Sequence, residues 1–283
     1  MDRVVRVVRV ERSTGSIDRT RERGTMPWPL GIPAAVAVFF LLVPLVAMLV
    51  RAPWSGLTRI LANSTVLDAL RLSLLSASAA TVASFVLGVP LAWMLARARW
   101  RGLSVLRALV TLPLVLPPVV GGVALLLAFG RNGVVGKAIY DWTGFALPFT
   151  TWGVVVAETF VAMPFLVVTV EGAFRAADQG FEEAAATLGA SRMTIFRRVT
   201  LPLIGPSLVA GSVLCWARAL GEFGATITFA GNNPDTQTMP IAVYLANESD
   251  TDAAIALSLV LLLVSVVVLV ALRDRWLRQG PAL

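Results

Sequence analysis

Apolar residues fill six long stretches of this 283-residue chain, and most polar residues lie between those stretches. A helix needs about 20 apolar residues to cross a hydrocarbon layer of about 30 Å. The stretches long enough are about 31–50, 70–95, 104–129, 152–171, 203–229 and 253–272. The first and last contain no charge, whereas the others carry Gly, Pro or an isolated charge, as helices that line a cavity often do. The pattern predicts an all-α polytopic membrane protein with six transmembrane helices.

The arginines predict how these helices are oriented. If both termini lie on one side, that side holds eighteen of the 24 Lys and Arg residues and the other holds five, with Arg218 inside a span. Positive charge accumulates in cytoplasmic loops. We therefore expect both termini, and the loop at about 172–202, to be cytoplasmic in a multi-pass protein of the cell membrane. Seven of the eight tryptophans fall near span ends, where an aromatic belt is expected.

The predicted spans divide the chain into three parts. Residues 1–29 are rich in arginine and lack the apolar core of a signal peptide. We expect a disordered cytoplasmic tail that could touch anionic lipid, or an upstream start with Met26 as the native first residue. Residues 30–276 form the transmembrane domain, and residues 277–283 form a short cytoplasmic C-terminal tail.

Composition narrows the function further. The chain is 57% hydrophobic and 14% charged, with a mean hydropathy of +0.79, which indicates a membrane protein. Its net charge of +7 is accounted for by the cytoplasmic loops, so we expect lipid and no nucleic acid as a partner. With no histidine and a single cysteine, Cys215, the chain offers no Cys/His metal site and no internal disulfide. We predict neither a metal site nor catalytic residues.

The cytoplasmic segment 182–202, "EEAAATLGASRMTIFRRVTLP", is more specific than a connector needs to be. It predicts two short helices. Asp178 can cap the first, and Gly189 can end it in the left-handed conformation. Ser191 can cap the second, which would run to Pro202. Helix logic alone leaves open an amphipathic loop without a partner.

The spacing of this segment resembles the signature loop of ABC importer permeases. Glu183-Ala184-Ala185 is followed after three residues by Gly189, and after nine more by Val199, one residue before Leu201-Pro202. The family more often has Ile at the position of Val199. The resemblance implies a type I ABC importer transmembrane domain whose loop is a coupling helix that docks on an ATPase subunit. The residues it assigns to coupling are Glu182, Glu183, Ala184, Ala185, Leu188, Gly189 and Arg192.

The same resemblance implies the partners. The chain has no phosphate-binding loop of the form G-x-x-x-x-G-K-S/T, so ATP and Mg would be bound by a partner subunit and the chain would not itself be an enzyme. The family pattern implies a homodimer of permease subunits, two cytoplasmic ABC ATPase subunits and an extracytoplasmic oxyanion-binding protein.

Two further stretches, 111–136 and 217–244, resemble the molybdate branch of these permeases, which is related to the sulfate branch. They imply import of molybdate or the similar tungstate, with a sulfate or other oxyanion permease as the alternative. The candidate pathway and gate residues are Pro117, Pro118, Arg218, Gly221, Glu222, Gly224, Thr226 and Thr228.

Glu222 has three open interpretations. It lies four residues after Arg218, so the two can pair on one helical face, and it could also shape a gate or carry a coupled proton. Because a carboxylate repels an oxyanion, we expect Arg218, Thr226, Thr228 and backbone amides to face the anion. A proton-coupled carrier centred on Glu222 is the alternative mechanism. A membrane-embedded enzyme would require Glu158 and Glu222 to meet.

The polar segment 231–252 is predicted to lie outside the cell. Two interpretations remain open for it: a contact surface for a binding protein, or a hydrated connector.

Overall fold

The computed structural model describes residues 28–277, a part of the chain made of helices and loops without a strand. The chain divides into two units, residues 1–47 and 48–283, and helix α1 (Trp28–Val50) supplies the described part of the first. The predicted tails, 1–29 and 277–283, lie outside the described residues except for Trp28 and Pro29, which begin α1, and Leu277, which ends the last helix. The other helices are α2 (Leu57–Leu61), α3 (Ser64–Arg97), α4 (Leu103–Val115), α5 (Pro118–Phe129), α6 (Gly136–Thr143), α7 (Thr151–Ala176), α8 (Gly180–Thr187), α9 (Arg192–Ile195), α10 (Leu201–Leu203), α11 (Gly205–Leu220), α12 (Gly224–Phe229), α13 (Met239–Ser249) and α14 (Thr251–Leu277).

Four helices are long and apolar enough to cross a membrane as continuous rods. They are Leu30–Val50, Ser64–Arg97, Thr151–Ala176 and Thr251–Val268, which confirms four of the six predicted spans. The other two predicted spans are bent helix pairs, so the described residues contain six spans if each pair counts as one. This architecture makes the chain a multi-pass membrane protein.

The span predicted over 104–129 is present as a bent pair of helices. The chain bends by 120° between α4 and α5. Leu116 and Pro117 have extended backbones, with ψ of 130° and 131°. A proline disfavours the helical conformation at the residue before it, and two prolines in succession impose this at both residues. Pro118 then begins α5, in the first turn, where a proline costs no hydrogen bond.

The span predicted over 203–229 is also broken into shorter helices. The chain bends by 71° between the segment Arg192–Leu203 and α11. A second break separates α11, which ends at Leu220, from α12, which begins at Gly224. Hydropathy does not detect either break because the backbone changes direction inside apolar sequence.

The core is built on a stripe of small residues along α3. Ala77, Ala80 and Ser84 are fully buried, and Gly88 lies on the same side of the helix. A Cβ at Gly88 would come within 3.0 Å of a Leu166 methyl on α7. Small side chains let helix backbones approach closely. In a membrane the hydrophobic effect does not drive helices together, so van der Waals contacts at such close approaches stabilise the pair. Helices α3 and α7 therefore form the rigid centre of the second unit.

The segment 231–252 is not a hydrated connector, because much of it is folded into this unit. Helix α13 packs on α3 and α14 through a cluster that includes Met239, Ala69 and Leu257. The Met239 amide donates to Ser73 Oγ at 2.7 Å, and Thr236 is fully buried. A contact with a binding protein is therefore open only to the exposed part of this segment.

Candidate coupling and pathway sites

The loop at about 172–202 has the predicted contacts at its helix ends. The Gly180 amide donates to Asp178 Oδ1 at 2.9 Å at the start of α8, and the Thr194 amide donates to Ser191 Oγ at 3.3 Å at the start of α9. Gly189 has φ of 81°, the left-handed conformation that ends a helix. The Ala190 amide donates back to Ala185 O at 3.1 Å, which satisfies one of the last carbonyls of α8. The prediction of two helices joined at Gly189 is confirmed.

The second helix does not run as a regular α-helix to Pro202. Helix α9 ends at Ile195, and Phe196–Thr200 form a π-helical turn in which the Leu201 amide donates to Phe196 O. Such wide turns insert an extra residue and are frequent at functional sites. The turn places Thr200 inside the protein at 2% exposure.

The two adjacent glutamates of α8 have different surroundings. Glu182 Oε1 accepts from Arg97 Nη2 at 3.0 Å and from Thr200 Oγ1 at 3.0 Å. Arg97 is the last residue of α3, so Glu182 connects α8 with that span. Glu183 is exposed. Because neighbouring residues on a helix point about 100° apart, only one of the two carboxylates can face the interior.

The loop exposes several large apolar side chains among its polar ones. Leu188 is 88% exposed, and Phe181 and Met193 are also exposed. Ala184, Gly189 and Arg192 are exposed, while Ala185 is half-buried. Large exposed apolar side chains in a water-facing loop are typical of a protein contact. Among the residues assigned to coupling, Glu182 differs in that its side chain is hydrogen-bonded to residues of other helices.

A cavity of about 600 Å³ lies between the end of α3 and this loop. Its lining combines apolar and polar side chains: Pro90, Trp93, Glu182, Arg192, Met193, Ile195, Phe196 and Thr200. Glu182 and Thr200 therefore line the cavity in addition to bonding to each other.

A second ionic cluster fixes the same end of the spans. Glu171 Oε1 on α7 accepts from Arg107 Nε at 2.9 Å and from Arg175 Nη2 at 2.6 Å. Arg107 Nη2 also donates to the Leu95 carbonyl at 3.0 Å, so α3, α4 and α7 are joined. The spacing of Glu171 and Arg175, four residues apart on one helix, was a signal in the sequence that the predictions missed.

The two stretches proposed for the pathway meet in space. A Cβ on Gly224 of α12 would lie 2.8 Å from Pro118 Cβ, and one on Gly122 of α5 would lie 2.6 Å from Thr228 Cβ. Real Cβ atoms do not approach this closely, so both positions need glycine. The bent halves of two spans thus cross with their backbones nearly in contact.

The predicted pair between Arg218 and Glu222 is confirmed. Arg218 Nη1 lies 2.6 Å from Glu222 Oε2. Glu222 itself follows the end of α11, and its other oxygen accepts from the Ala225 amide at 2.7 Å, in the first turn of α12. Glu222 is 1% exposed, so this carboxylate links the two helices across the break inside the protein.

The remaining candidates occupy varied positions around this break. Pro117 lies at the α4–α5 bend. Thr226 is fully buried and its hydroxyl has no hydrogen-bond partner, whereas the Thr228 hydroxyl donates to Gly224 O at 2.8 Å. At Gly221 a Cβ would meet only Ala217 O at an ordinary 3.6 Å, so close approach does not require glycine there. Contact of these residues with an anion stays a prediction.

Glu158 on α7 is buried beside the same break and was noted in the sequence only as a possible partner of Glu222. Its neighbours on α7, Ala157 and Val161, pack with Ala225 of α12, so Glu158 and Glu222 lie in the same part of the core. Both side chains, however, are 1% exposed. Glu158 Oε1 accepts from Ser76 Oγ at 2.9 Å, and Glu222 is occupied by Arg218 and Ala225. Each carboxylate is therefore bonded to other groups, and no bond between the two is present among the described residues.

Comparison with known proteins identifies the family. Residues 88–279 match the family described as binding-protein-dependent transport system inner membrane component. The chain is 48% identical over 220 residues to the molybdenum transport system permease protein ModB of Mycobacterium tuberculosis, covering 77% of this chain and 83% of that protein. It is 35% identical over 206 residues to the sulfate transport system permease protein CysT of Salmonella typhimurium, covering 72% and 74%.

The fold agrees with this family. The crystal structure of a bacterial ABC transporter involved in the import of the acidic polysaccharide alginate superposes with a TM-score of 0.71 at 16% identity, covering 90% of this chain and 96% of that chain. The fold is therefore that of an ABC importer transmembrane domain. The chain belongs to the family of inner membrane components of binding-protein-dependent transport systems, in which it is a permease subunit.

Proposed function

We propose that the chain is the permease subunit of an ATP-driven importer of molybdate or tungstate. The observation that carries the choice of anion is the higher identity to the molybdenum permease, 48%, than to the sulfate permease, 35%, over comparable lengths. A sulfate or other oxyanion permease is the alternative.

The proposed assembly contains two copies of this chain, two cytoplasmic ABC ATPase subunits and an extracytoplasmic oxyanion-binding protein. ATP and Mg are bound by the ATPase subunits, and both termini of this chain are cytoplasmic. The outward side of the coupling loop, with Glu183, Leu188 and Met193, supports a protein contact on that face. The arginine distribution supports the orientation.

In this mechanism ATP binding draws the two ATPase subunits together and moves the coupling loops. The bends at Leu116–Pro117 and at Gly221–Phe223 divide rigid helices into segments that can change angle. The close crossing of α5 and α12 makes these two segments move as one. The break near Glu222 is thus placed to open and close the anion path.

A proton-coupled carrier is less well supported by the geometry. A proton-coupling carboxylate must alternate between a charged and a neutral form. Both oxygens of Glu222 are committed, one to Arg218 and one to the Ala225 amide, so a coupled proton could bind there only if one of these contacts broke.

ATP hydrolysis by the assembled complex tests the proposal. We expect the purified complex in liposomes to hydrolyse ATP faster when a molybdate-loaded binding protein is present than when the same protein is empty. A sulfate-binding protein loaded with sulfate is the matched control. Stimulation by the sulfate-loaded protein instead would transfer the proposal to the sulfate branch, and stimulation by neither would contradict both.

A further inference from the structure

Glu182 accepts two hydrogen bonds on a single oxygen, and their donors come from different parts of the chain. Arg97 ends the long span α3, and Thr200 ends the π-helical turn that leads into α10 and α11. We call these three residues the Glu182 clamp. Through one carboxylate, the clamp joins α8 to a core span and to the entrance of the bent span that carries Arg218.

The clamp is shielded enough to hold its shape. The Arg97 and Glu182 side chains are 15% and 25% exposed, and Thr200 is buried. Shielded charge-assisted hydrogen bonds are stronger than ion pairs on an open surface. By comparison, the Lys137–Asp141 pair has side chains 65% and 57% exposed and couples only neighbouring turns of α6.

The clamp is also incompletely satisfied. Arg97 Nε is buried and has no hydrogen-bond partner, although a guanidinium has five donors. A buried donor without an acceptor is unfavourable, so this pairing is not the best that Arg97 could make. The cavity beside Glu182 and Thr200 gives the side chains space to pair differently. Incompletely satisfied contacts beside open space are expected where a helix, here α8, changes between two arrangements.

We propose that the Glu182 clamp transmits movement of α8 to α3 and α11 during transport. Glu182 is then an internal positioning residue, and its neighbour Glu183 is the carboxylate that faces the partner subunit. This division of roles rests on the proposed function, because it requires an ATP-driven partner to move the loop. Arg97 and Thr200 become coupling residues that the signature spacing does not include.

The test uses the full assembly in liposomes and measures molybdate uptake and ATP hydrolysis in the same sample. The variants are Arg97→Gln, Glu182→Gln and the milder Thr200→Val, with Lys137→Gln as the matched ion-pair control. We expect the molybdate carried per ATP hydrolysed to fall about fivefold or more in Arg97→Gln and Glu182→Gln, less in Thr200→Val, and not at all in Lys137→Gln. The exchanged pair Arg97→Glu with Glu182→Arg should recover part of the loss.

Two outcomes would overturn the clamp. Wild-type uptake per ATP in Arg97→Gln and Glu182→Gln would show that the contact transmits nothing. Loss of ATPase subunits from purified Glu182→Gln complexes, with Arg97→Gln unaffected, would make Glu182 a docking residue. The unfolding temperature of each variant shows whether either outcome is due to misfolding. If Arg97→Gln and Glu182→Gln fail to fold, Thr200→Val still provides the test. If the unmutated protein takes up molybdate without ATP, the proposed function is contradicted, and the proposed role of the clamp is contradicted as well.

Discussion

At the scale of single residues, the buried charges decide what each position tolerates. Glu222 is 1% exposed and relies on Arg218 and one backbone amide. The pair was predictable from the four-residue spacing within an apolar stretch, because an unpaired charge there would be costly. That Glu222 also binds the first turn of α12 was not predictable, because the sequence does not show that α11 ends at Leu220.

Removing Arg218 tests this pair. We expect Arg218→Ala to lower the free energy of unfolding by about 3 kcal/mol or more, because it leaves a buried carboxylate without its cation. Adding Glu222→Gln should restore about 1–2 kcal/mol of this loss, and Arg218→Lys should cost less than Arg218→Ala. Denaturant unfolding of the detergent-solubilised protein measures both. A double variant no more stable than Arg218→Ala would argue against the pairing.

At the scale of elements, caps and breaks were easier to predict than contacts. Asp178, Gly189 and Ser191 lie within a few residues of the backbone groups they serve, so their roles can be inferred from local sequence. The prolines at 117 and 118 are a local signal for an interrupted helix, but the 120° bend between α4 and α5 could not be predicted from them, because α5 also packs closely against α12. In the Glu182 clamp, Arg97 lies 85 positions before Glu182 and Thr200 lies 18 positions after it. No local signal in the sequence indicates which of the two adjacent glutamates turns inward.

The left-handed residue between α8 and α9 gives a sharp test of the coupling loop. At φ of 81°, Gly189→Val should strain the backbone by about 1–3 kcal/mol and redirect Leu188, although a Cβ there would meet no neighbouring atom within 4 Å. We expect reduced co-purification of ATPase subunits and reduced uptake. Gly189→Asn, which tolerates this conformation better, should be much closer to the parent protein. Normal uptake by the valine variant would mean that the cap is unimportant.

The crossing of α5 and α12 gives a second test. Gly122→Ala should destabilise the protein by about 1–3 kcal/mol, because the added methyl would sit 2.6 Å from Thr228 Cβ and 2.9 Å from Ala225 O. Gly172→Ala is the matched control on α7. Nothing lies within 4 Å of its added Cβ, so it should be neutral or stabilising by about 0.5–1 kcal/mol. Equal unfolding midpoints for the two variants would contradict the close crossing.

At the scale of the whole molecule, two polar centres lie in one apolar frame. One is the coupling loop, where Glu182 faces the interior and the apolar residues face outward. The other is the break near Glu222, where bent spans cross. The span α11 runs between them, because Thr200 lies near its beginning and Arg218 near its end. We therefore expect energy released by ATP in a partner subunit to reach the anion path through this chain.

This coupling of ATP hydrolysis to transport is tested by measuring molybdate uptake into liposomes that contain the permease, its ATPase partner and the binding protein. We expect uptake to require both ATP and the binding protein, to continue when a proton gradient is collapsed, and to resist excess sulfate. Uptake that proceeds without ATP and stops when the proton gradient is collapsed would rule out ATP-driven transport and would place the driving force at the buried carboxylates Glu158 and Glu222.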